Sequence, residues 1–229
     1  MFIPLKDENP GLKRPYVTFA LIVVNCLVYL ISIMRTPQEF QIFVYQYGLI
    51  PIELMHMSEI TPQYSWPIML SPFSSMFLHG GFMHLAGNML YLWIFGNNIE
   101  DHLGRVKFII FYLVSGLAAS LLFVVFSPDS QIPLVGASGA IAGVMGAYIV
   151  LFPHARILTL LFLFYFIRII RVPAMVALGF WFVYQLLMAA LAGGGGGVAW
   201  LAHVGGFAFG FLWFKLFARG KSTRRIYLD

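Results

Sequence analysis

The sequence predicts an all-α polytopic membrane protein, a bundle of six transmembrane helices. Three observations predict it. Of 229 residues, 60% are hydrophobic and only 10% charged, where a soluble domain carries about 25% charged residues. The mean hydropathy is +0.85. The apolar residues also gather in uncharged runs near the length of about 20 residues that a crossing needs.

The elements follow in order. A polar, basic segment, 1–16, precedes the first run, "VTFALIVVNCLVYLISIM", read as a span over 17–34. The "RTPQEF" behind it offers no small-residue cleavage site, so the run is expected to stay as a span rather than act as a leader. Spans two and three are placed at 82–98 and 106–126, and "SPDSQIP" separates them from a fourth at 138–152. The glycine run at 192–197 divides a fifth span, 172–191, from a sixth, 199–218. Segment 154–171 is apolar but framed by Arg156, Arg168 and Arg171. Arginines are costly at the bilayer centre, so this segment is expected to be interfacial or shallowly inserted, not a seventh span. The expected organisation is thus a short N-terminal segment at 1–16, a membrane domain at 17–218 and a basic tail at 219–229. The sole cysteine, Cys26, excludes an intrachain disulfide and gives no basis for a cysteine metal site.

Charge orients the chain. Thirteen of the fourteen basic residues fall on one side of this threading; only Arg35 lies across. The positive-inside rule then places both termini in the cytoplasm and loops 35–81, 127–137 and 192–198 outside. The formal charge of +5 is carried by residues flanking apolar segments. It therefore reads as a topology signal and not as a nucleic-acid surface.

Spans two, four and six all run from outside to inside, which brings four polar residues to one depth. Ser138, in "GASG", opens span four; His84 and Asn88 lie in the first turns of span two; His203 lies in those of span six. Buried polar groups are expensive in hydrocarbon unless they find partners. Ser138 and His203 make a nucleophile–base pair, since a serine hydroxyl needs a positioned base to take its proton. His84 and Asn88, four apart, share a helix face and can donate toward one point, as an oxyanion hole requires. The N–H of Ser138, at a helix start, can add a third donor. Small residues at Gly139, Gly143, Gly146, Ala202, Gly206 and Gly210 would let spans four and six approach closely. Plainer readings of the same residues stay open: Ser138 as a helix cap, His203 as a structural hydrogen-bond partner, His84 and Asn88 as ties between loops. No acidic residue lies in an outer half-span, so a dyad is expected rather than a triad.

The stretches "SSMFLHGGFMHLAGNMLYLWIFGNNIEDHLG", "GASGAIAGVMGAY" and "AHVGGFAFG" resemble, in order and spacing, those of the rhomboid intramembrane serine proteases. The resemblance runs from span one onward. It implies a rhomboid-like six-helix bundle in the cell (inner) membrane, with an active site opening outward. It implies Ser138 as nucleophile, His203 as general base, and His84 and Asn88 holding the oxyanion with the Ser138 N–H. His79 would be a structural histidine under the first outer loop. It implies transmembrane protein substrates in the lipid bilayer, no metal and no cofactor. Cleavage is implied near the outer membrane face, usually after a small residue in a helix-unstable stretch. Substrate would enter between spans two and five, with Phe180, Trp181 and Phe182 as gate candidates or as ordinary lipid-facing bulk. Two departures stand out. Some members have a tyrosine four residues after the serine, stacked on the histidine; here it is Ala142, so another group must orient His203. Some have a Trp-Arg pair in the first loop, where this chain has Trp66 and Pro67. Two rivals are a non-proteolytic relative that escorts membrane clients, disfavoured by the intact Ser138 and His203, and a transporter, disfavoured by the absence of mid-span acids.

Overall fold

A computed structural model describes residues 2–9, 11–59, 66–163, 166–191 and 199–217. The glycine run and the basic tail of the sequence reading lie outside these. Six helices form the bundle: α1 (Tyr16–Ile33), α5 (Phe82–Leu103), α6 (Arg105–Phe126), α7 (Ser138–Leu151), α8 (Ala174–Leu191) and α9 (Trp200–Phe217). Between α1 and α5 the chain forms α2 (Pro37–Tyr47), α3 (Pro51–His56) and a run of short turns over Ile68–Phe77 that contains α4 (Ser71–Ser74). By length and composition α1, α6, α8 and α9 are apolar enough to cross a membrane. The protein is a multi-pass membrane protein with an all-α bundle.

The other two core helices are unusual for physical reasons. α5 has 22 residues, about 33 Å at 1.5 Å per residue, but it carries the polar residues the rest of the bundle needs. Its Glu100 is buried and accepts hydrogen bonds from the Val17 N–H (3.0 Å), the Thr18 N–H (2.8 Å) and the Thr18 hydroxyl (2.8 Å). This carboxylate caps α1, whose own N-cap, Pro15, offers no side-chain acceptor. A negative charge also suits the positive end of a helix dipole. α7 has only 14 residues, about 21 Å, too short to span the roughly 30 Å hydrocarbon core. It is central, packed against α5, α6, α8 and α9, with Gly139 through Tyr148 buried. Glycine makes this possible. A Cβ on Gly206 would collide with the carbonyl oxygen of Gly139, one on Gly210 with that of Gly143, and one on Gly146 with that of Phe207.

Segment 154–171, expected to be interfacial or shallowly inserted and not a seventh span, supplies most of an antiparallel hairpin, β2 (Arg156–Leu163) and β3 (Phe166–Pro173), with Arg156 opposite Pro173. The hairpin returns the chain to where it left α7, so α7 and α8 meet the same end of the bundle. β1 (Phe2–Asp7), from the short polar and basic N-terminal segment, adds antiparallel to β2, with Asp7 opposite Ile157. The isoleucine-, leucine- and phenylalanine-rich run suits a strand as well as a helix, and its short apolar period was ambiguous. Pro4, Asp7, Ile157 and Thr159 are buried. Asp7 Oδ2 accepts from Asn98 Nδ2 (2.7 Å) on α5 and from the Tyr148 hydroxyl (2.8 Å) on α7. Arg171 pairs with Glu8 at 2.7 Å, bracing the strands further.

The opposite end of the bundle is organised by the chain between α1 and α5. Thr36 and Glu39 form a capping box on α2, and the Thr36 backbone N–H, then its hydroxyl, hold the Glu39 carboxyl below the usual range. Beyond α2, Leu49 and Leu134 exchange backbone hydrogen bonds at 3.1 and 2.7 Å, and the Gly136 N–H donates to Ser75 O at 2.9 Å. The segment leading into Ser138 is therefore held from two sides by the first loop.

Candidate active site

Ser138 is the first residue of α7, and the N-cap position belongs to Ala137, which makes no side-chain cap bond. The serine hydroxyl therefore does not cap its helix. Oγ lies 2.8 Å from Nε2 of His203 on α9. This distance exists because of the glycine contacts between α7 and α9, which hold the two backbones near touching. As a first-turn residue, Ser138 also carries one of the N–H groups a helix leaves without an internal acceptor.

Gly136, two residues earlier, has φ +124°, a conformation that side chains rarely adopt. A Cβ there would lie 2.7 Å from His84 Nε2 and 3.6 Å from Asn88 Nδ2. The strand-like approach to α7 thus runs directly beside both α5 side chains, which the four-residue spacing places on one face. Asn88 is buried and its amide nitrogen has no hydrogen-bond partner among the described residues. A buried donor without a partner is expensive, and this one borders open space. His79, buried in the turn before α5, meets the His84 ring edge-on at 5.2 Å.

His84, Asn88, Ser138 and His203 line one cavity of about 910 Å³, together with Gly81 and Trp181. Its walls come from α5 on one side and α8 on the other. Of the three aromatic residues on α8, Phe180 is 67% exposed. Phe182 stacks on Phe207 of α9 at 4.5 Å, and Trp181 lies 5.8 Å from the His203 ring. Trp66 packs edge-on against Tyr47 at 4.9 Å. Among the described residues no three His, Cys, Asp or Glu side chains gather as a metal site requires.

One contact was missed from sequence. His203 Nδ1 lies 2.8 Å from Oε1 of Gln185 on α8. A triad's third member is ordinarily an acid; here the signal is an amide inside an apolar span. Ala142, where some rhomboid proteases have a tyrosine, is fully buried against the close α7–α9 contact. The flat neighbours of His203 are instead Trp181 and Trp200, the latter edge-on at 6.4 Å. Chemically, a hydroxyl on one imidazole nitrogen, an acceptor on the other and donors across an open cavity are the parts of a serine acyl-transfer site.

The fold and site define a multi-pass membrane protein with a serine–histidine pair set between two glycine-packed helices. A family model described as the rhomboid domain matches residues 68–220, two thirds of the chain. Rhomboid protein 1, mitochondrial, of Saccharomyces cerevisiae is 36% identical over 152 residues, 63% of this chain and 40% of that protein. Rhomboid protease GluP of Bacillus subtilis is 40% identical over 90 residues, 39% of this chain and 17% of that protein. RHOMBOID-like protein 4 of Arabidopsis thaliana is 36% identical over 139 residues, 61% of this chain and 32% of that protein. The chain belongs to the rhomboid family. It spans less than half the length of each of these relatives.

Proposed function

We propose that this protein is an intramembrane serine endopeptidase that cleaves transmembrane protein substrates near the outer membrane face through a Ser138–His203 dyad. The observation that carries the reading is the 2.8 Å contact between Ser138 Oγ and His203 Nε2 at the wall of the cavity. Rhomboid protease GluP, a named protease among the relatives, supports the same activity.

In this reading, Ser138 Oγ attacks the scissile carbonyl carbon while His203 Nε2 takes its proton. The carbonyl oxygen becomes an oxyanion held by His84, Asn88 and the Ser138 N–H. Collapse breaks the C–N bond, and the leaving amine takes the proton from His203. Water then attacks the acyl-serine with His203 again as base, and release of the acid restores the hydroxyl. The unpartnered Asn88 amide supports its donor role, since an oxyanion would supply the missing acceptor. His79 is a structural residue that backs His84.

α7 starts within the membrane because it is short, so the serine sits below the surface, and the cavity lets water reach it. Substrate enters between α5 and α8. Trp181 and Phe182, packed inward, are better suited to gate that passage than the outward Phe180. The basic residues place both termini in the cytoplasm and the cavity on the outer side of the cell (inner) membrane.

The test is incubation of the purified protein in liposomes with a panel of single-span substrates, mapping cleaved bonds, alongside labelling with a fluorophosphonate. A protease labels at Ser138 and cuts near outward ends. A client-escorting relative binds without labelling, and that outcome would replace the reading.

A further inference from the structure

We propose that Gln185 is a positioning residue that fixes His203 in its reacting tautomer. The inference rests on the reading of Ser138 and His203 as the reacting pair, and it concerns what makes His203 a base.

A neutral imidazole carries its proton on one nitrogen only. For His203 to accept the Ser138 proton at Nε2, the resident proton must sit on Nδ1. The contact to Ser138 does not decide this, because a hydroxyl donates or accepts equally well. Gln185 Oε1, 2.8 Å from Nδ1, decides it. An amide oxygen only accepts, so it holds the proton on Nδ1 and leaves Nε2 bare. The reverse amide orientation would present N–H groups to Nδ1, drive the proton to Nε2 and disable the base.

Three further observations favour the productive arrangement. Gln185 is 3% exposed, and the buried side chains of α8 are otherwise Ala174, Ala177 and Leu178. The polar group is thus turned inward from a helix whose other buried contacts are apolar. Trp181, one turn earlier on the same helix, covers the imidazole with its rings inclined at 38°, while Trp200 meets it edge-on at 88°. Gln185 therefore fixes the proton, and the two indoles fix the ring plane, in a site where Ala142 can do neither. An amide also avoids the cost of an isolated carboxylate in a membrane interior. It orients the base without the charge that an aspartate supplies in a triad.

The experiment uses the full chain in nanodiscs. Nitrogen-15 chemical shifts of His203 are expected to show a protonated Nδ1 and a bare Nε2. A bare Nδ1 in the wild-type protein overturns the inference. Gln185→Leu keeps the volume and removes the acceptor; it is expected to lower kcat by tenfold or more, with KM for a single-span substrate within about twofold. Gln185→Glu restores an acceptor and is expected to recover most of that loss. A Gln185→Leu enzyme as fast as wild type, or a Glu variant no better than Leu, overturns it. If the Leu variant fails to fold, the wild-type tautomer alone still decides. Failure of wild-type Ser138 to label with fluorophosphonate would instead sink the parent reading, so the two failures are distinct.

Discussion

Ser138 and His203 meet through one hydrogen bond, and that bond makes the sharpest forecasts about single side chains. Ser138→Ala removes one oxygen from a helix start that it does not cap. Cleavage should be abolished while the melting temperature stays near wild type, measured on purified protein with a single-span substrate. His203→Ala should also abolish cleavage. Residual turnover close to wild type in Ser138→Ala would rule out the assigned nucleophile. His84→Ala and Asn88→Ala should lower kcat far more than they raise KM, because an oxyanion exists only along the reaction. Loss of one such donor typically reduces the rate by about 10²–10³, or roughly 3 kcal/mol in the transition state. If both variants kept wild-type kcat, the pair would be a structural tie. At this scale the polar residues were legible in the sequence because hydrocarbon makes each one conspicuous. Gln185 escaped because no second polar residue stands one turn from it, as His84 does from Asn88; its neighbours at that spacing are Trp181 and Ala189.

The helices explain how Ser138 and His203 are brought within hydrogen-bonding distance. α7 and α9 approach until glycine carbonyls on one helix occupy the space of absent side chains on the other. Gly206→Ala and Gly210→Ala each force a methyl into backbone, which cannot move aside as a flexible side chain does. Overpacking of this kind costs about 1–3 kcal/mol. Both variants should melt at lower temperature and lose turnover together, since spreading the helices also parts Ser138 from His203. Gly87→Ala on α5, with nothing within 4 Å of the added Cβ, should melt like wild type. Helix propensity favours alanine over glycine, so equal destabilisation by all three would show that close backbone approach is not the cause. The small-residue pattern was visible in the sequence. Which carbonyl faces which glycine was not, because register depends on how two helices are rotated against each other.

Across the whole molecule, one end of the bundle carries the sheet and the other the cavity. The sheet is fastened by buried polar contacts from strand to helix. Tyr148→Phe removes one hydrogen bond to the Asp7 carboxylate, an interaction of about 1.5–3 kcal/mol. It should lower the melting temperature and speed proteolysis within residues 2–9, read by mass spectrometry. Orientation is tested in a Cys26→Ser background. A cysteine at the exposed Asp129, in the connection before α7, should react in intact cells with a membrane-impermeant thiol reagent. One at the exposed Arg168, in β3, should react only after lysis. The reverse pattern would turn the active site toward the cytoplasm. Labelling of both sites from outside would break the expected even number of crossings.

The sequence by itself determined the membrane class, the six core helices and the polar residues at Ser138, His203, His84 and Asn88. Each of these is a local matter: hydrocarbon demands uncharged runs, and a polar residue inside such a run is visible without knowing its neighbours. The ends were close as well, since Gly104, with φ +78°, closes α5 a few residues past the expected limit. Only the tertiary structure decided that β1 joins β2 and β3 in one sheet, because that pairing links segments about 150 residues apart, as Asp7 meets Ile157. No local pattern records such a partner. Only the tertiary structure brought Gln185 to His203, from a helix whose rotation is set by packing on α7 and α9. It also decided that the Ser138 hydroxyl turns from its own helix end to the imidazole. That choice depends on whether a second helix comes within 2.8 Å, and the glycines permit this approach without specifying it.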